Sequence, residues 1–413
     1  MKSQGNRDSS PETHTGIERE IRIDSIRRLI RISWYFLILF IGAERTLTYF
    51  LLQAPKTVLL VLKICALLLN VWAAMIAFPL RRRSIPTIDQ VISILALMIA
   101  LIVTLQISNF KSADLYQEAG SWIFVSSSAF CATFVDLNFV GRILKFTLSY
   151  SLISALLGNV AFSPDSRLIN FGFTGRLLGF FGHPNVTAFA AILLLLLCFK
   201  LRLHFVWIIL SAAILFLTAS FTGLLAIGIG CVVAILARIL PGKITIIIGL
   251  CIVAAIPVTP FLTNNNVHTL SDLRVFSYRV EIWRWCFQQL HLSGFHSIPN
   301  IFASNLQSQS IFWTHAHNQA LMDLLTGGIY KSFLTLLLLF SFLYACIKKN
   351  SGVGSSFSLI MWSTLAVSSI SEVPLYMDKI DARALLLSIF LVCILSSARN
   401  EVTVRDSYRG THG

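Results

Sequence analysis

Long apolar runs recur along this chain, and they limit the folds that it can adopt. About twelve runs of roughly 18–25 residues alternate with polar segments, and a helix of that length crosses a hydrocarbon core about 30 Å thick. Charged residues make up only 13% of the chain, roughly half of their share in a soluble domain. Because the runs are continuous and do not alternate, they indicate helices. We therefore predict an all-α, polytopic integral membrane protein.

The predicted spans divide the chain into five segments. Residues 1–32 form a tail with a basic amphipathic segment, residues 263–317 form one large loop, and residues 399–413 form a second tail. Residues 33–262 hold transmembrane helices 1–9, and residues 318–398 hold helices 10–12. The spans are predicted near residues 33–53, 57–80, 88–108, 118–136, 146–162, 185–200, 204–220, 222–238, 244–262, 319–347, 354–371 and 382–398.

The positions of the basic residues predict the orientation. Of the 33 Lys and Arg residues, 21 fall in the two tails and the loops on the same side, 9 in the opposite loops and 3 inside spans. Because positive residues concentrate in cytoplasmic loops, we predict that both termini are cytoplasmic and that the large loop lies outside. The formal net charge of +14 then reflects membrane topology, and we expect no nucleic-acid partner.

Two features near the N-terminus each leave two alternatives. Residues 17–31 place isoleucines at helical spacing among arginines. This pattern predicts either an amphipathic helix on the anionic inner leaflet or a charged anchor that only fixes the topology. Glu44 and Arg45 interrupt the first span, which indicates either an ion pair inside the membrane or a break in the helix. Of these last two, we favour the ion pair.

The large loop at residues 263–317 has the composition of a folded segment. It is rich in aromatic residues and holds four of the nine histidines, with a fifth, His317, at its far edge. Disordered segments are poor in aromatic residues, and long loops in compact proteins are usually functional or disordered. Of the eight cysteines, only Cys286 lies in this loop, so we expect no disulfide framework. We expect the loop to fold and to carry function.

Three polar clusters on the predicted outer side hold the candidate chemistry. The first is GRLLGFFGHPN at residues 175–185, which includes Arg176, His183 and Asn185. Its glycines allow close approach of the backbone, and Pro184 suits the first turn of a helix whose N-terminus favours anions. A lone arginine in a loop usually faces solvent or lipid phosphate. Its position between glycines and ahead of a helix favours a binding site here.

The second cluster is YRVEIWRW at residues 278–285, in the large loop. In a helix, Arg279 and Trp283 would share one face. The cluster is either an interfacial helix with tryptophans at headgroup level, or an arginine presented to phosphate beside rings that stack on sugar. Arg284 belongs to the same candidate set. The residues alone leave both alternatives open.

The third cluster is WTHAHNQAL at residues 313–321, which includes His315, His317 and Asn318. Two histidines at this spacing suggest a metal site, but no third ligand at a recognisable spacing completes one, so we expect no metal. A neutral histidine at a membrane face is a credible general base, because its pKa lies near the operating pH. A lone histidine in such a place is more often a packed polar residue.

In this order and topology, the three clusters and a short TASFTG turn resemble the bacterial O-antigen ligase and polymerase superfamily. In that family an arginine motif opens a middle transmembrane helix, a second arginine motif begins a large periplasmic loop, and an H-N motif closes the loop. The resemblance covers roughly residues 172–345. This chain departs from the family at Ser220-Phe221, where Ser-Arg is common.

The resemblance implies transfer of a glycan from a polyprenyl-diphosphate carrier to a sugar hydroxyl at the outer face of a bacterial cytoplasmic (inner) membrane. We expect Arg176 and Arg279 to stabilise the leaving diphosphate and His317 to act as the base, with His315 as its rival. The expected partners are the lipid-linked donor, a glycan acceptor and the bilayer, without a cofactor. The expected substrate-binding residues are His315, Asn318, His183, Asn185, Trp283 and Arg284.

Several activities share these motifs. Our first choice is a polymerase of surface-polysaccharide repeat units (O-antigen, capsule or exopolysaccharide), because such polymerases are the more widespread and diverse members. A ligase that transfers the chain to lipid A–core and an enzyme that transfers it to protein are alternatives. The rival from another class is a flippase for lipid-linked oligosaccharides. Transporters tend to show repeated halves, and this sequence shows no repeat.

Overall fold

The protein is almost entirely helical where its structure is described. The computed structural model describes residues 11–49, 56–80, 87–110, 113–157, 162–164, 175–265, 279–293, 316–348, 355–375 and 382–396. Within these ranges the chain forms thirteen α-helices, one turn of 3-10 helix at Ala132–Phe134 and one short pair of strands. The all-α prediction is therefore confirmed.

The helices are α1 (Pro11–Tyr49), α2 (Lys56–Leu80), α3 (Ile88–Phe110), α4 (Ala113–Cys131), α5 (Leu137–Leu157), α6 (Pro184–Leu201), α7 (Val206–Thr218), α8 (Phe221–Ile239), α9 (Gly242–Asn265), α10 (Arg279–Leu292), α11 (Gln319–Lys348), α12 (Ser355–Ser371) and α13 (Ala382–Ser396). Strand β1 (Phe162–Pro164) pairs antiparallel with β2 (Gly175–Leu177), and Ser163 lies opposite Arg176.

Several helices have the length and surface of membrane spans. Large apolar side chains on their outer faces, such as Leu60, Trp72 and Leu224, are more than half exposed. Extended apolar surfaces of this kind suit contact with lipid. The chain thus has the features of a multi-pass membrane protein. Among the described residues, seven segments are long and apolar enough to cross a membrane, namely Thr57–Leu80, Ile88–Gln106, Leu137–Leu156, Pro184–Leu201, Phe221–Ile239, Gly242–Leu262 and Gln319–Ile347, and the shorter apolar segments are Val206–Thr218, Ser356–Ile370 and Ala382–Leu395.

Helix α5 begins well before the span predicted at residues 146–162. Asp136 caps it by accepting a hydrogen bond from the backbone N–H of Asn138 at 3.0 Å. Arg142 and Lys145 therefore lie within the helix and not in a loop before it. The difference has a simple cause, because an apolar run starts after the last charge whereas a helix starts at its cap.

Helix α13 is the central element of the bundle. Its apolar side chains, including Leu385, Phe390 and Leu395, are fully buried. It contacts α1, α4, α5, α6, α11 and α12. A helix that is apolar on all sides belongs in such a core. Around it, α1 packs with α2, α3 with α4, α6 with α7, and α8 with α12.

Basic residues mark one end of the bundle. Arg238 Nε donates to Ser356 Oγ at 2.8 Å, which joins the last turn of α8 to the first turn of α12. These two helices are therefore antiparallel. Lys145 Nζ lies 4.9 Å from the ring centroid of Trp207, near the starts of α5 and α7. We call this the basic end. The start of α8 and the end of α12 consequently lie at the other end of the bundle.

Helix α1 runs without a break through Glu44 and Arg45. The alternative of a break in the helix is therefore wrong, and the ion pair between these two residues stays a prediction. The guanidinium of Arg45 lies against Gly182.

The basic segment at residues 17–31 belongs to the same helix. Ile26 and Ile30 are buried against the bundle, whereas Ile17 and Ile21 are exposed. The segment therefore packs on the protein from Ile23 onward.

A group of charged side chains is buried between α4 and α11. Lys331 is 1% exposed and binds Glu118 of α4. Its Nζ also lies 3.7 Å from Asp323 Oδ1 and 3.0 Å from Thr326 Oγ1. Nearby, Gly328 interrupts α11 with φ 69° and ψ −171°. Buried charges are tolerated only when they are paired, so this group fixes α4 against α11.

The paired charges predict unequal effects of two substitutions. Lys331→Met leaves two buried carboxylates without this cation, whereas Glu118→Gln leaves the lysine with Asp323. We expect Lys331→Met to lower the stability by about 3–5 kcal/mol and Glu118→Gln to lower it less. The measurement is the fraction of monodisperse protein in detergent after stepwise heating, followed by size-exclusion chromatography.

Lys243→Met is the matched control, because Lys243 is exposed at the start of α9. Equal thermal stability of the Lys331→Met and Lys243→Met proteins would contradict a stabilising role of the buried group.

Candidate active site

Several helix termini meet at the end of the bundle opposite to the basic end. The N-termini of α6, α8, α10 and α11 meet the C-termini of α7 and α12 there. Helix termini leave backbone N–H and C=O groups without helical partners, and in an apolar protein polar side chains must satisfy them. This requirement concentrates polar residues at one place in an otherwise apolar chain.

Glu372 lies at the centre of this region, with its side chain 8% exposed. Its Oε1 accepts hydrogen bonds from Arg279 Nη2 and from Asn185 Nδ2, both at 2.7 Å. Its Oε2 lies 3.4 Å from His317 Nδ1, an electrostatic contact longer than a normal hydrogen bond. One buried carboxylate thus joins residues from α6, α10 and the segment before α11. We call Glu372, Arg279, Asn185 and His317 the carboxylate cluster.

Local sequence explains where Glu372 stands. It follows directly after α12, and Pro374 two residues later cannot donate the N–H that a longer helix would need. The next residue, Leu375, donates its N–H to Gln319 Oε1 at 2.9 Å. The turn that carries the carboxylate is therefore held by the first residue of α11.

Asn185 links the carboxylate cluster to α7 and α8. Its Oδ1 accepts from Arg176 Nη2 at 2.7 Å and from Ser220 Oγ at 3.0 Å. Arg176 Nε also donates to the carbonyl of Thr218 at the end of α7, at 2.7 Å. Ser220 caps α8 by accepting the N–H of Gly223. Arg176 is thereby held in place by a side chain and a helix C-terminus.

The segment GRLLGFFGHPN forms a strand, a turn and a helix start. Arg176 lies in β2, and the turn closes with a hydrogen bond from Gly182 N to Gly179 O at 3.1 Å. His183 is the N-cap of α6, and its Nδ1 accepts the N–H of Asn185 at 3.3 Å. Pro184 occupies the first helical position, as the sequence predicts.

His317 occupies an unusual backbone conformation. Its φ is 50°, in the left-handed region that side chains with a Cβ seldom adopt. Such strain persists only where the surrounding structure holds the residue in place. Here the neighbouring residues on both sides are fixed, Ala316 by α10 and Asn318 by α9 and α12.

Asn318 binds a backbone carbonyl that lacks its helical hydrogen bond. Pro260 in α9 has no N–H, so the carbonyl of Ile256, four residues earlier, lacks its helical partner. Asn318 Nδ2 donates to that carbonyl at 2.7 Å and to the carbonyl of Ile370 in α12 at 2.9 Å. Its Oδ1 accepts the N–H of Leu321 at 2.9 Å and so caps α11. Asn318 is 0% exposed, and we assign it a positioning role.

Trp283 anchors α10 to the segment that carries His317. Its Nε1 donates to the carbonyl of Ala316 at 2.8 Å, and its ring is 0% exposed. The ring therefore offers no open face to a sugar in this structure. Arg284 is partly exposed and lies about 140° around α10 from Arg279.

The structure brings together five of the residues that the sequence nominates, namely Arg176, His183, Asn185, Arg279 and His317. Asn318 and Trp283 lie beside them in the protein interior. His315, and most of the large loop, lie outside the described residues.

Sequence reasoning missed Glu372 and the role of Ser220. The sequence contains a weak signal for Glu372. This carboxylate ends an apolar run, stands two residues before Pro374 and lies on the same predicted side as the three clusters. A search that considers only basic residues and histidines does not identify Glu372. Ser220 is part of the Ser-Phe departure from the family. Phe221, where arginine is common, is 52% exposed and does not line the pocket described next.

A pocket adjoins the carboxylate cluster between α6, α8, α12 and α13. Its cavity has a volume of about 50 Å³ and opens to solvent. Polar side chains and long apolar side chains line the pocket together, which suits a ligand with a polar and an apolar part. Its lining includes His183, Asn185, Ser220, Glu372, Arg383, Val186, Phe189, Leu365, Leu386 and Leu387.

The cluster combines groups that can move a proton and bind an anion. When the Nδ1–H of His317 faces Glu372, the basic lone pair of the imidazole is on Nε2. Arg176 and Arg279 supply fixed positive charge within the same network. Among the described residues, no three His, Cys, Asp or Glu side chains come together as a possible metal site.

Burial affects the chemistry of Cys286 in α10. The thiol packs among Ile282, Trp283 and Leu290, and this burial raises its pKa above the ordinary value. The folded protein therefore holds Cys286 as the neutral thiol at physiological pH, and the thiolate is the reactive form.

Comparisons of the chain with models of known protein families, with curated proteins and with solved structures each found no match.

The buried thiol predicts slow alkylation. We start from a variant that keeps Cys286 as its one cysteine and treat it with maleimide in mild detergent at pH 7.5. Because burial raises the thiol pKa and blocks access, we expect labelling at least about tenfold slower than in SDS. The measurement is the gel shift of the labelled protein against time.

The control is a cysteine-free protein with Glu281→Cys, since Glu281 is exposed on the same helix. It should label rapidly under both conditions. Equal rates for Cys286 and this control in mild detergent would show that α10 does not pack as described.

Proposed function

We propose that this protein is a membrane glycosyltransferase that moves a glycan from a polyprenyl-diphosphate carrier to a sugar hydroxyl. Two observations carry the proposal. His317 and Arg279 both contact one buried carboxylate, Glu372, and Glu372 lines a partly apolar pocket. A base, fixed guanidiniums and an amphiphilic pocket are the groups that this reaction needs.

The base in this mechanism is His317. A sugar hydroxyl is a poor nucleophile, and a positioned imidazole that removes its proton speeds attack by typically 10²–10⁴-fold. Glu372 orients the ring through Nδ1 and stabilises the imidazolium that forms after proton transfer. This division of roles makes Glu372 a positioning residue and His317 the catalytic residue.

Arg176 and Arg279 bind the diphosphate. Each is held by a protein partner before substrate arrives, Arg176 by Asn185 and Thr218 and Arg279 by Glu372. Fixed donors of this kind stabilise developing charge without reorganisation during the reaction. Guanidinium remains ionised at any physiological pH and matches phosphate geometry.

The reaction balances with these groups alone. The acceptor oxygen forms a bond to the anomeric carbon of the donor glycan. The bond from that carbon to the diphosphate oxygen breaks, and its electron pair leaves with the polyprenyl diphosphate. His317 Nε2 takes the proton from the acceptor hydroxyl. The leaving group gains negative charge, which the two arginines stabilise.

The topology supports a site at the outer face of a bacterial cytoplasmic membrane. The carboxylate cluster lies opposite to the basic end, which carries Arg238 and Lys145. Because basic residues favour the cytoplasm, both termini are cytoplasmic and the large loop at 263–317 is extracytoplasmic in this proposal. Helices α1 and α4 and the shorter apolar helices bring the spans to about twelve.

Within this class we propose a repeat-unit polymerase of surface polysaccharide, on the resemblance of the three clusters to O-antigen polymerases and ligases. A ligase to lipid A–core and transfer to protein differ in the acceptor and use the same cluster.

A flippase for lipid-linked oligosaccharides is the second candidate, and one observation favours it. Transporters often carry broken helices with charges inside the membrane, and α11 is interrupted at Gly328 near the buried Lys331. The glycosyltransferase is preferred because the polar candidates gather at one end of the bundle, at helix termini.

The proposed roles predict a defined glycan phenotype. In a deletion strain complemented with His317→Ala or Glu372→Gln, we expect the ladder of polymerised glycan to be lost or reduced at least about tenfold, because base or orientation is lost. The measurement is the surface glycan profile on a gel, with blots that verify equal amounts of each variant in the membrane.

His291→Ala and Glu281→Gln are the matched controls, since both residues are exposed on α10. They should restore the normal ladder. Single repeats on the acceptor in the deletion strain indicate a polymerase, whereas unattached polymer on the lipid carrier indicates a ligase. A normal ladder from both site variants would exclude the catalytic assignment and favour the flippase.

A further inference from the structure

Arg45 packs directly on the turn that precedes α6. A Cβ atom on Gly182 would lie 2.2 Å from Cζ and Nη2 of Arg45 and 2.7 Å from its Nη1. A side chain there would have to displace the guanidinium, which occupies the space that glycine leaves. Gly182 also has a φ of 67°, which glycine adopts at little cost.

The turn beneath Arg45 is fixed to the bundle. Thr46, next to Arg45 in α1, shares a hydrogen bond of 2.8 Å with the hydroxyl of Tyr150 in α5. The ring of Tyr150 packs edge-on against Phe180, whose N–H donates to Ser151 Oγ at 2.8 Å. Arg45 is therefore held at this position by its neighbours.

The charge of Arg45 lacks a counterpart in the described protein. Its Nε is buried and has no hydrogen-bond partner among the described residues. A cation near a helix end in a membrane protein is costly unless it meets an anion. The chemistry that satisfies it is a phosphate, from either a lipid headgroup or a diphosphate ligand.

The position of Arg45 relates it to the proposed donor site. Gly182 directly precedes His183, the N-cap of α6, and stands three residues before Asn185 of the carboxylate cluster. Arg279 shares its charge with Glu372, which weakens its hold on an anion. The leaving diphosphate carries one more negative charge after transfer than before it. An additional guanidinium beside this turn compensates for both effects.

We propose that Arg45 binds the diphosphate of the lipid-linked donor, together with Arg176 and Arg279. This inference rests on the proposed function and adds α1, which carries none of the three sequence clusters, to the substrate site. Gly182 then contributes to the specificity for the diphosphate, because the absence of a side chain at this position leaves room for the Arg45 guanidinium.

Binding of inorganic diphosphate tests the inference. The full chain is purified in detergent, and its thermal unfolding is followed by intrinsic fluorescence over a range of diphosphate concentrations. We expect Arg45→Ala to weaken diphosphate binding about tenfold, and Arg45→Lys, which keeps the charge without the planar fork, to weaken it about threefold. Gly182→Ala keeps Arg45 but displaces it, and should also weaken binding.

Arg142→Ala is the matched control, because Arg142 is exposed in the first turns of α5, towards the basic end. It should bind diphosphate like the unchanged protein. Unchanged diphosphate affinity in both Arg45 variants, with binding lost in Arg279→Ala, would overturn the inference and leave the proposed function standing. Failure of the unchanged protein to bind diphosphate would overturn both.

A second arm separates the two phosphate sources. The same variants are placed in nanodiscs of phosphatidylcholine with or without phosphatidylglycerol. In one outcome, phosphatidylglycerol stabilises the unchanged protein but not Arg45→Ala, and the two proteins bind diphosphate with the same affinity. Arg45 is then an anchor for a lipid headgroup, and the inference is wrong. Loss of diphosphate affinity in Arg45→Ala with an unchanged lipid response supports it.

Discussion

The buried carboxylate of Glu372 is the constraint on which this end of the protein depends. A carboxylate at 8% exposure is stable only with charged or strong hydrogen-bond partners, and removing one partner of a buried pair typically costs about 3–5 kcal/mol. Arg279 and Asn185 supply these partners from α10 and α6. The positions of these helices and of the end of α12 are therefore coupled, and His317 is brought within reach of the same group.

Prolines and helix ends leave backbone groups without helical hydrogen-bond partners, and the other polar side chains of the site pair with these groups. Pro260 leaves a carbonyl of α9 unpaired, and Asn318 pairs it while capping α11. Arg176 in turn binds the last carbonyl group of α7 at Thr218. In water such groups would be solvated, but in an apolar protein each must find a side chain. The same contacts fix the relative positions of the polar side chains at this end of the bundle.

The buried charges of the core and the carboxylate cluster are joined by one side chain. Gln319 donates to Asp323 Oδ2 at 3.0 Å, and Asp323 faces Lys331. The other end of the same amide accepts the N–H of Leu375, three residues after Glu372. The packing of α4 on α11 is thus connected to the turn that holds Glu372. This connection gives a physical route by which a change deep in the bundle alters the site.

The sequence by itself determined the helical membrane class and nominated Arg176, Asn185, Arg279 and His317. It could do so because polar residues in so apolar a chain stand out, and because glycine, proline and tryptophan mark the ends of helices near them. Only the tertiary structure identified Glu372 and Arg45 as members of the same region. A single carboxylate or arginine has no periodicity or spacing that distinguishes it. Its role arises when α1, α6, α10, α11 and α12, distant in sequence, bring their ends together and leave one buried charge facing another.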